Sequence, residues 1–512
     1  MLLFVVIVLC TMTCSCTSFE DQRTAVQDLI GRVLGSAYSQ NITVTVSRSD
    51  LSATTEDSFW YSCNGDGTMM LGGTSGVAAA NGLHHIMRSF LQSSVTWGAD
   101  ATGWHIAHPL PLLPSSCKEQ KRTSLGAYRY YFNTCTFGYT AAWWNITQWQ
   151  REIDWMALHG INLPLASLGS EYAWVLAFEQ FGLSVVDMQD YLSGPAFLPW
   201  NRMGNLHGWG GPMSLEYIKA MSSLQIVLLT KMRSIGMEPI LPAFDGHVPN
   251  ALVQKFPNSS FYRAEDWCGL GPEYSENYLL SPTDPLFPLV ANAVIKSVND
   301  LYGNSRFYNA DTWNEMDPPT SNATFLTASS HAVYTAITSM DPNAVWIMQG
   351  WLFYNAEFFW TDKNIEAYLG GVPKENLIIL DLTSDLNPVF SRTHSYFGYS
   401  FIWCMLHNYG GRRGFYGNLT YLSTQPVLDY MNPLYPNMVG VGLTMEATMQ
   451  NEVAYELFMD VAWRPTPMSF SDLTTWIPCS SEQLFPSVPS HDHQQRTVLA
   501  QCSLLLPLHG VG

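Results

Sequence analysis

The chain has 512 residues, with 42 acidic against 24 basic, a formal charge of −18 and a pI near 5.0. Nucleic-acid binding needs clustered Lys and Arg to displace counterions from phosphates, so this balance excludes a nucleic-acid partner. Only 13% of residues are charged and 47% are apolar, which excludes a disordered acidic protein and leaves material for a large core.

The first element is an apolar run, Leu2 to Leu9, followed by the small, thiol-bearing stretch 10–18. This has the shape of a signal peptide over residues 1–18 and directs the chain into the secretory pathway. The run is too short to cross a hydrocarbon core of ~30 Å, and no later stretch offers ~20 uninterrupted apolar residues, so no membrane partner is expected. Five Asn-x-Ser/Thr sequons, at Asn41, Asn145, Asn258, Asn322 and Asn418, are the expected glycosylation sites. Loss of the leader leaves Cys63, Cys117, Cys135, Cys268, Cys404, Cys479 and Cys502, an odd number that keeps at least one thiol unpaired. Their spacing contains no CxxC and no Cys/His cluster of zinc type, so no metal is expected from them.

Residues 19–122 read as a small α/β domain. Asp21 to Gly35 is patterned as an amphipathic helix and "NITVTVS" alternates as a strand. "GGTSGVAAANGLHHIMRSFL" opens with glycines and runs into a helical pattern; it lacks the Gly-Lys-Ser/Thr ending of a phosphate loop. The Lys and Arg of "CKEQKRTS" then mark a boundary.

A second organisation fills residues 123–466. Short β-branched or aromatic runs recur at Ala127–Cys135, Gly160–Ser167, Glu238–Phe244, Phe307–Glu315, Ala344–Trp351, Asn376–Ser384, Ser400–Asn408 and Met438–Glu446. Helical patterns such as "TQWQREIDWMALH" separate several of them. Near-continuous apolar strands alternating with helices imply a parallel sheet covered on both faces, and eight such units close a (β/α)8 barrel of TIM type. The rival is an open doubly wound sheet, whose Gly-rich fingerprint is missing after the first run, where Asn133-Thr134-Cys135-Thr136 stands.

Barrel chemistry belongs at the C-terminal ends of strands. The fourth run ends in Asn314-Glu315 and the eighth in Met445-Glu446. Two carboxyl groups converging from different strands are the minimum equipment for glycoside hydrolysis. The alternative is that each acid caps a following helix, since acidic residues favour helix N-termini. Asn314 and Glu315 project from opposite faces of an extended segment unless a bulge or turn re-aims them, and Trp313 is placed to exclude water from the acid. Further polar or aromatic strand ends are Asn133 and Cys135, Phe244 to His247, Gln349 to Trp351, and Trp403 to Asn408.

At "YRYYFNTCT", "REIDWMALHGINLPLA", "GPAFLPWNRMGNLHGWGGP", "MRSIGMEPILPAFDGHVP", "DTWNEMDPP", "AVWIMQGWLF", "SFIWCMLHNYGG" and "QNEVAYELFMDVAWR" the chain resembles the α-N-acetylglucosaminidases of glycoside hydrolase family 89, which include the animal lysosomal enzyme of heparan sulfate breakdown. The resemblance runs from about Tyr128 to Arg464. It implies a retaining exo-hydrolase that removes a terminal non-reducing α-linked N-acetylglucosamine from a glycosaminoglycan or another α-GlcNAc-terminated glycan, without a cofactor. It implies Glu315 as the general acid/base, Glu446 as the nucleophile, and Asn133, Cys135, Trp200, Trp267, Asn314 and Trp351 as the sugar pocket. Retention requires carboxyl groups ~5–5.5 Å apart. A lysosomal or secreted destination follows from the same resemblance.

The chain departs from the family at two places. Ala447 stands after the nucleophile, where the family usually has Gly. The similarity fades after "DLTTWI", and residues 467–512, rich in Pro, Ser and Gln, read as a poorly ordered tail in place of the family's all-helical domain. His491 and His493 read as tail residues rather than metal ligands. An active enzyme is expected, with a catalytically impaired sugar-binding fragment or an unstable truncated form as the alternatives.

Overall fold

A computed structural model of the chain describes residues 17–48, 55–99, 103–412 and 416–484. Residues 1–16 of the expected signal peptide, and His491 and His493, lie outside the described residues.

The first helix, Phe19–Leu34, starts at a capping box between Ser18 and Asp21 and buries Val26, Leu29, Ile30 and Val33 at helical spacing. It accompanies a sheet in the order Ile42–Val46, Met69–Gly73, Ser58–Cys63, Gln120–Thr123, in which only the first pair is parallel. The glycines before the second long helix, Gly76–Phe90, serve packing. A Cβ at Gly72 would lie 2.1 Å from the Trp60 ring, and one at Gly73 2.4 Å from the Ala79 nitrogen. The N–H of Gly76 at that helix start already donates to Gln22 Oε1 at 2.8 Å. A disulfide joins Cys63 to Cys117, while Cys135, Cys268 and Cys404 are free. The side chains of Cys479 and Cys502 lie outside the described residues.

The second domain is an all-parallel eight-stranded barrel. Its strands in chain order are Tyr128–Tyr131, Leu163–Pro164, Leu241–Pro242, Phe307–Asn309, Val345–Gln349, Leu377–Asp381, Ser400–Met405 and Met438–Leu443. Each neighbours the next, the eighth pairs with the first, and a parallel bridge between Leu165 and Ile240 joins the second to the third and closes the ring. Closure replaces the open-sheet alternative. Every strand lies inside its expected run but stops short of the end of that run, where the chain leaves the ladder for a loop.

The domains share a polar, buried boundary. Arg129 on the first barrel strand is fully buried and pairs with Asp57 of the small domain. Arg32 pairs with Asp154 at 2.7 Å and Arg122 with Asp460 at 2.8 Å. Between helix Gly76–Phe90 and the barrel helices, His84 packs 4.5 Å from His159, whose Nε2 lies 2.6 Å from Glu456 Oε1. His85 beside them meets the Tyr61 hydroxyl at 3.0 Å.

Burial, helped by the charge of Arg122, holds His85 down to about 4. The unfolded chain therefore binds this proton near 6.5 while the folded chain does not. Stability that His85 contributes above that range is lost as pH falls from about 6.5 to about 4. His85→Gln lacks this penalty. Its stability relative to the parent is expected to rise by roughly 1–3 kcal/mol between pH 7 and pH 4. Paired denaturant titrations at the two pH values measure this, and a pH-independent difference would contradict it.

One expectation is corrected at the C-terminal side. Within the expected tail, Phe470–Leu484 is a helix. Ser469 and Asp472 exchange capping hydrogen bonds at 3.1 and 3.0 Å, and Leu473, Trp476 and Ile477 bury one face at helical spacing. The Pro and Ser content pointed to a loop, but these local signals outweigh it. Residues 485–512 lie outside the described residues. Among the described residues no helix is long and apolar enough to cross a membrane.

Candidate active site

Glu315 and Glu446 line one cavity of about 220 Å³ together with Asn133, Cys135, Trp200, Trp267, Asn314 and Trp351. Tyr139, Met203, Gln349, Leu382 and Leu406 complete the lining. All eight barrel strands send their C-terminal connections to it, from Asn133 after the first to Glu446 after the eighth. The cavity therefore sits at the mouth where a parallel barrel gathers its loops.

The fourth strand ends at Asn309, and the chain then turns through Thr312 to Glu315, where φ is +52°. A left-handed backbone is costly for a residue with a Cβ, and here it re-aims the chain so that the adjacent Asn314 and Glu315 both reach the cavity. Asn314 Nδ2 donates to Asn205 Oδ1 at 3.0 Å, and Asn205 Nδ2 donates to the Asn314 backbone carbonyl at 2.9 Å. The same turn carries Trp313 away. Its Nε1 donates to Ser329 at 3.2 Å and its ring is buried near Phe325, so it does not shield the acid as expected.

Two other indoles reach Glu315. Trp267 Nε1 donates to Oε2 at 2.7 Å and Trp351 Nε1 to Oε1 at 3.0 Å.

Glu446 follows the eighth strand and is anchored on both sides. Its N–H donates to the Asn408 carbonyl at 3.3 Å, and its Oε2 accepts the Gly410 N–H. Burial pushes the Glu446 carboxyl above its ordinary range; the Gly410 N–H opposes this, the charge of Glu315 adds to it, and Arg412 opposes it. Ala447 is buried and is not among the residues with a positive φ, so the turn here does not require the glycine that the family usually places there. The first strand's loop is tied to the eighth. Asn133 Nδ2 donates to the Thr444 carbonyl at 2.9 Å, its Oδ1 accepts the Cys135 N–H at 2.9 Å, and Thr136 Oγ1 donates to the Met445 carbonyl at 2.7 Å.

Below the floor, burial and then the charge of Glu315 raise Asp311 to about 7. Burial, then the charges of Glu446 and Glu315, push the Cys135 thiol well up. Asp245 and His247 are buried and absent from the lining, and Trp403 turns away to donate to Asp429 at 3.0 Å. Tyr139, a lining residue not expected from the sequence, packs edge-on at 5.2 Å against Trp200. Its spacing from Cys135, one helical turn, is the signal that would have found it.

Among the described residues, His84, His159 and Glu456 are the group whose possible metal-ligating atoms gather within 4.8 Å. They stand at the domain boundary rather than in the cavity, and Glu456 there already faces His159 and Arg88.

An eight-stranded parallel barrel with two carboxyl groups and three indoles at its C-terminal mouth has the layout of a glycoside hydrolase. The chain matches the alpha-N-acetylglucosaminidase (NAGLU) TIM-barrel domain over residues 129–465 and the corresponding N-terminal domain over residues 24–112. It belongs to the alpha-N-acetylglucosaminidase family. It is 40% identical over 458 residues to the alpha-N-acetylglucosaminidase of Homo sapiens, a match covering 89% of this chain and 60% of that one. It is similar to a family 89 glycoside hydrolase from Clostridium perfringens, solved in complex with 2-acetamido-1,2-dideoxynojirmycin, at 25% identity and a TM-score of 0.84, covering 96% of this chain and 53% of that one. The complex of a clostridial family 89 hydrolase with PUGNAc gives the same identity and TM-score, over 95% of this chain and 53% of that one. The chain thus spans about 60% of the length of the human relative.

Proposed function

We propose that the chain is an exo-acting, retaining glycosidase that removes a terminal non-reducing α-linked N-acetylglucosamine. The observation that carries this reading is the meeting of Glu315 and Glu446 in one cavity walled by Trp200, Trp267 and Trp351.

Glu446 is the nucleophile. With Oε2 engaged by Gly410, Oε1 attacks the anomeric carbon while the bond to the leaving oxygen breaks and Glu315 supplies that oxygen's proton. In the second half Glu315 takes a proton from water, which displaces Glu446 and releases the sugar with its configuration retained. Asn133, Cys135 and Asn314 supply polar contacts to the sugar, and the indoles its apolar faces.

The substrate is a glycosaminoglycan or another α-GlcNAc-terminated glycan. The formal charge of −18 repels anionic glycans at neutral pH and is relieved in an acidic compartment, which supports a lysosomal rather than an extracellular site of action. Residues 19–122 and 123–466 are assigned as the two domains. All five sequon asparagines are exposed. Asn145 and Asn322 also cap helices through Oδ1, each accepting two backbone N–H groups and leaving Nδ2 for a glycan.

The test is hydrolysis of 4-methylumbelliferyl α-N-acetylglucosaminide by the purified chain, with proton NMR of the first sugar released. The expected product is the α-anomer. First release of the β-anomer would overturn retention, and no turnover with a melt raised by N-acetylglucosamine would replace the enzyme by a sugar-binding protein.

A further inference from the structure

Glu315, as the acid, gives its proton to the oxygen that leaves with the rest of the glycan, so the next sugar has to lie beside Glu315 as the bond breaks. Two walls meet that carboxyl, the segment of Trp267 at Oε2 and the helix of Trp351 at Oε1. They differ in charge and in make-up. The excursion that carries Trp267, between the short strands Phe261–Arg263 and Tyr278–Leu280, also carries exposed Glu265, Asp266 and Glu273.

The other wall is aromatic. Trp351 and Tyr354 stand three residues apart in the helix Trp351–Asn355 and therefore share a face, with ring centroids 5.2 Å apart. Tyr409, from the loop after the seventh strand, packs on the same indole at 6.4 Å. Both tyrosines are half-buried and stand outside the cavity lining, beside one of its walls.

Tyr409 also starts a tight turn. The Arg412 N–H donates to the Tyr409 carbonyl at 3.2 Å, across Gly410 and Gly411 at φ +59° and +71°. Glycine adopts two successive left-handed conformations without a steric penalty, and such a turn brings its first and fourth residues within ~7 Å of each other. The turn is fixed against the second carboxyl. The Gly410 N–H donates to Glu446 Oε2, and a Cβ at Gly411 would lie 3.5 Å from that of Ala447. Arg412 is exposed and makes no ion pair among the described residues, in a chain with 42 acidic residues to 24 basic ones. Its charge nevertheless acts on Glu446.

The geometry points to Tyr354, Tyr409 and Arg412 as the seat of the sugar to which the terminal N-acetylglucosamine is linked, and to an anionic sugar as its occupant. The inference rests on the acid/base reading of Glu315 and narrows the substrate class of that same site. The tyrosines offer an apolar ring to the C–H face of a pyranose and a hydroxyl to its rim. The guanidinium is planar and meets a carboxylate or a sulfate through paired N–H groups. The acidic wall on the Trp267 side repels the same anion and so turns it toward Arg412.

The test measures kcat/KM on three methyl disaccharides, in which N-acetylglucosamine is α-linked to O4 of glucuronic acid, of glucose 6-sulfate and of glucose. At low ionic strength the parent is expected to favour an anionic disaccharide over the neutral one by ~10-fold or more, and the preference is expected to shrink as sodium chloride is added. The anionic disaccharide that gains identifies the group read, carboxylate or sulfate. Arg412→Gln is expected to remove the preference and Arg412→Lys to restore part of it. Tyr354→Ala is expected to slow all three disaccharides by a similar factor, because the ring does not read charge. Each preference is a ratio within one preparation, so partial misfolding of a variant leaves it intact, and the parent's salt dependence needs no variant. An absent preference in the parent, or one that Arg412→Gln preserves, overturns the inference while turnover of the 4-methylumbelliferyl substrate keeps the glycosidase reading. Tyr354→Ala leaving every disaccharide unchanged overturns the aromatic wall. No turnover of any substrate by the parent overturns the glycosidase reading and the inference with it.

Discussion

Glu446→Gln is expected to lose turnover of both phenolic and dinitrophenyl α-N-acetylglucosaminides by at least ~10⁴-fold, because an amide cannot form the covalent glycosyl ester on which the retaining route depends. Glu315→Gln is expected to behave differently. Loss of the general acid costs ~10²–10⁴-fold on the phenolic substrate, but formation of the intermediate from the dinitrophenyl substrate proceeds nearly unchanged. Its hydrolysis is then slow for want of a base, so a burst of dinitrophenol precedes a slow steady state. Equal losses on both substrates in both variants, with no burst, would refute this division of roles. The geometry supports the asymmetry: Glu446 is fixed by the Gly410 N–H and the Asn408 carbonyl, whereas Glu315 is reached by side chains alone.

The largest stability effect is expected at Arg129. Its guanidinium is fully buried, pairs with Asp57, donates to the Gly160 carbonyl at 2.8 Å and the Ala127 carbonyl at 3.0 Å, and lies 5.1 Å above the Trp463 ring. Arg129→Met leaves Asp57 buried with only the partly exposed Arg48 as counter-charge, at 2.9 Å, and should cost about 3–5 kcal/mol. The double variant Arg129→Met/Asp57→Leu should recover part of that, since neither charge is then stranded. Burial works against the Asp57 charge, but Arg129 beside it outweighs this and holds the carboxyl below its ordinary range. The contribution is therefore present above the ordinary carboxylate range and is lost as pH falls through the lowered one. Urea titrations should show the gap between parent and Arg129→Met narrowing in acid; a gap unchanged down to the acid transition would contradict the assignment.

The barrel was legible because strands buried on both faces read as unbroken apolar runs, and all eight were found. Their ends were not, since a polar residue at a strand terminus looks the same whether it continues the ladder or opens a turn. Glu315 shows the cost. Neighbourhood in sequence put Trp313 beside it, but a left-handed residue sends the two side chains apart. The indoles that do reach it lie 48 and 36 residues away, a separation over which local patterns carry no information. The residues expected in the sugar pocket were grouped by family resemblance alone, and the barrel explains why residues so far apart in the chain line one cavity. The helix Phe470–Leu484 was hidden by composition, although its capping box was readable at Ser469 and Asp472.

The capping asparagines bear on how glycan deletions should be made. At Asn145 and Asn322 the nitrogen that would carry the sugar and the oxygen that closes the helix belong to one amide. An Asn→Gln substitution removes both and charges about 1 kcal/mol of lost cap to the missing glycan. Thr147→Ala and Thr324→Ala destroy the sequons while keeping each amide in place, so a glycoform comparison built on them reads the carbohydrate alone.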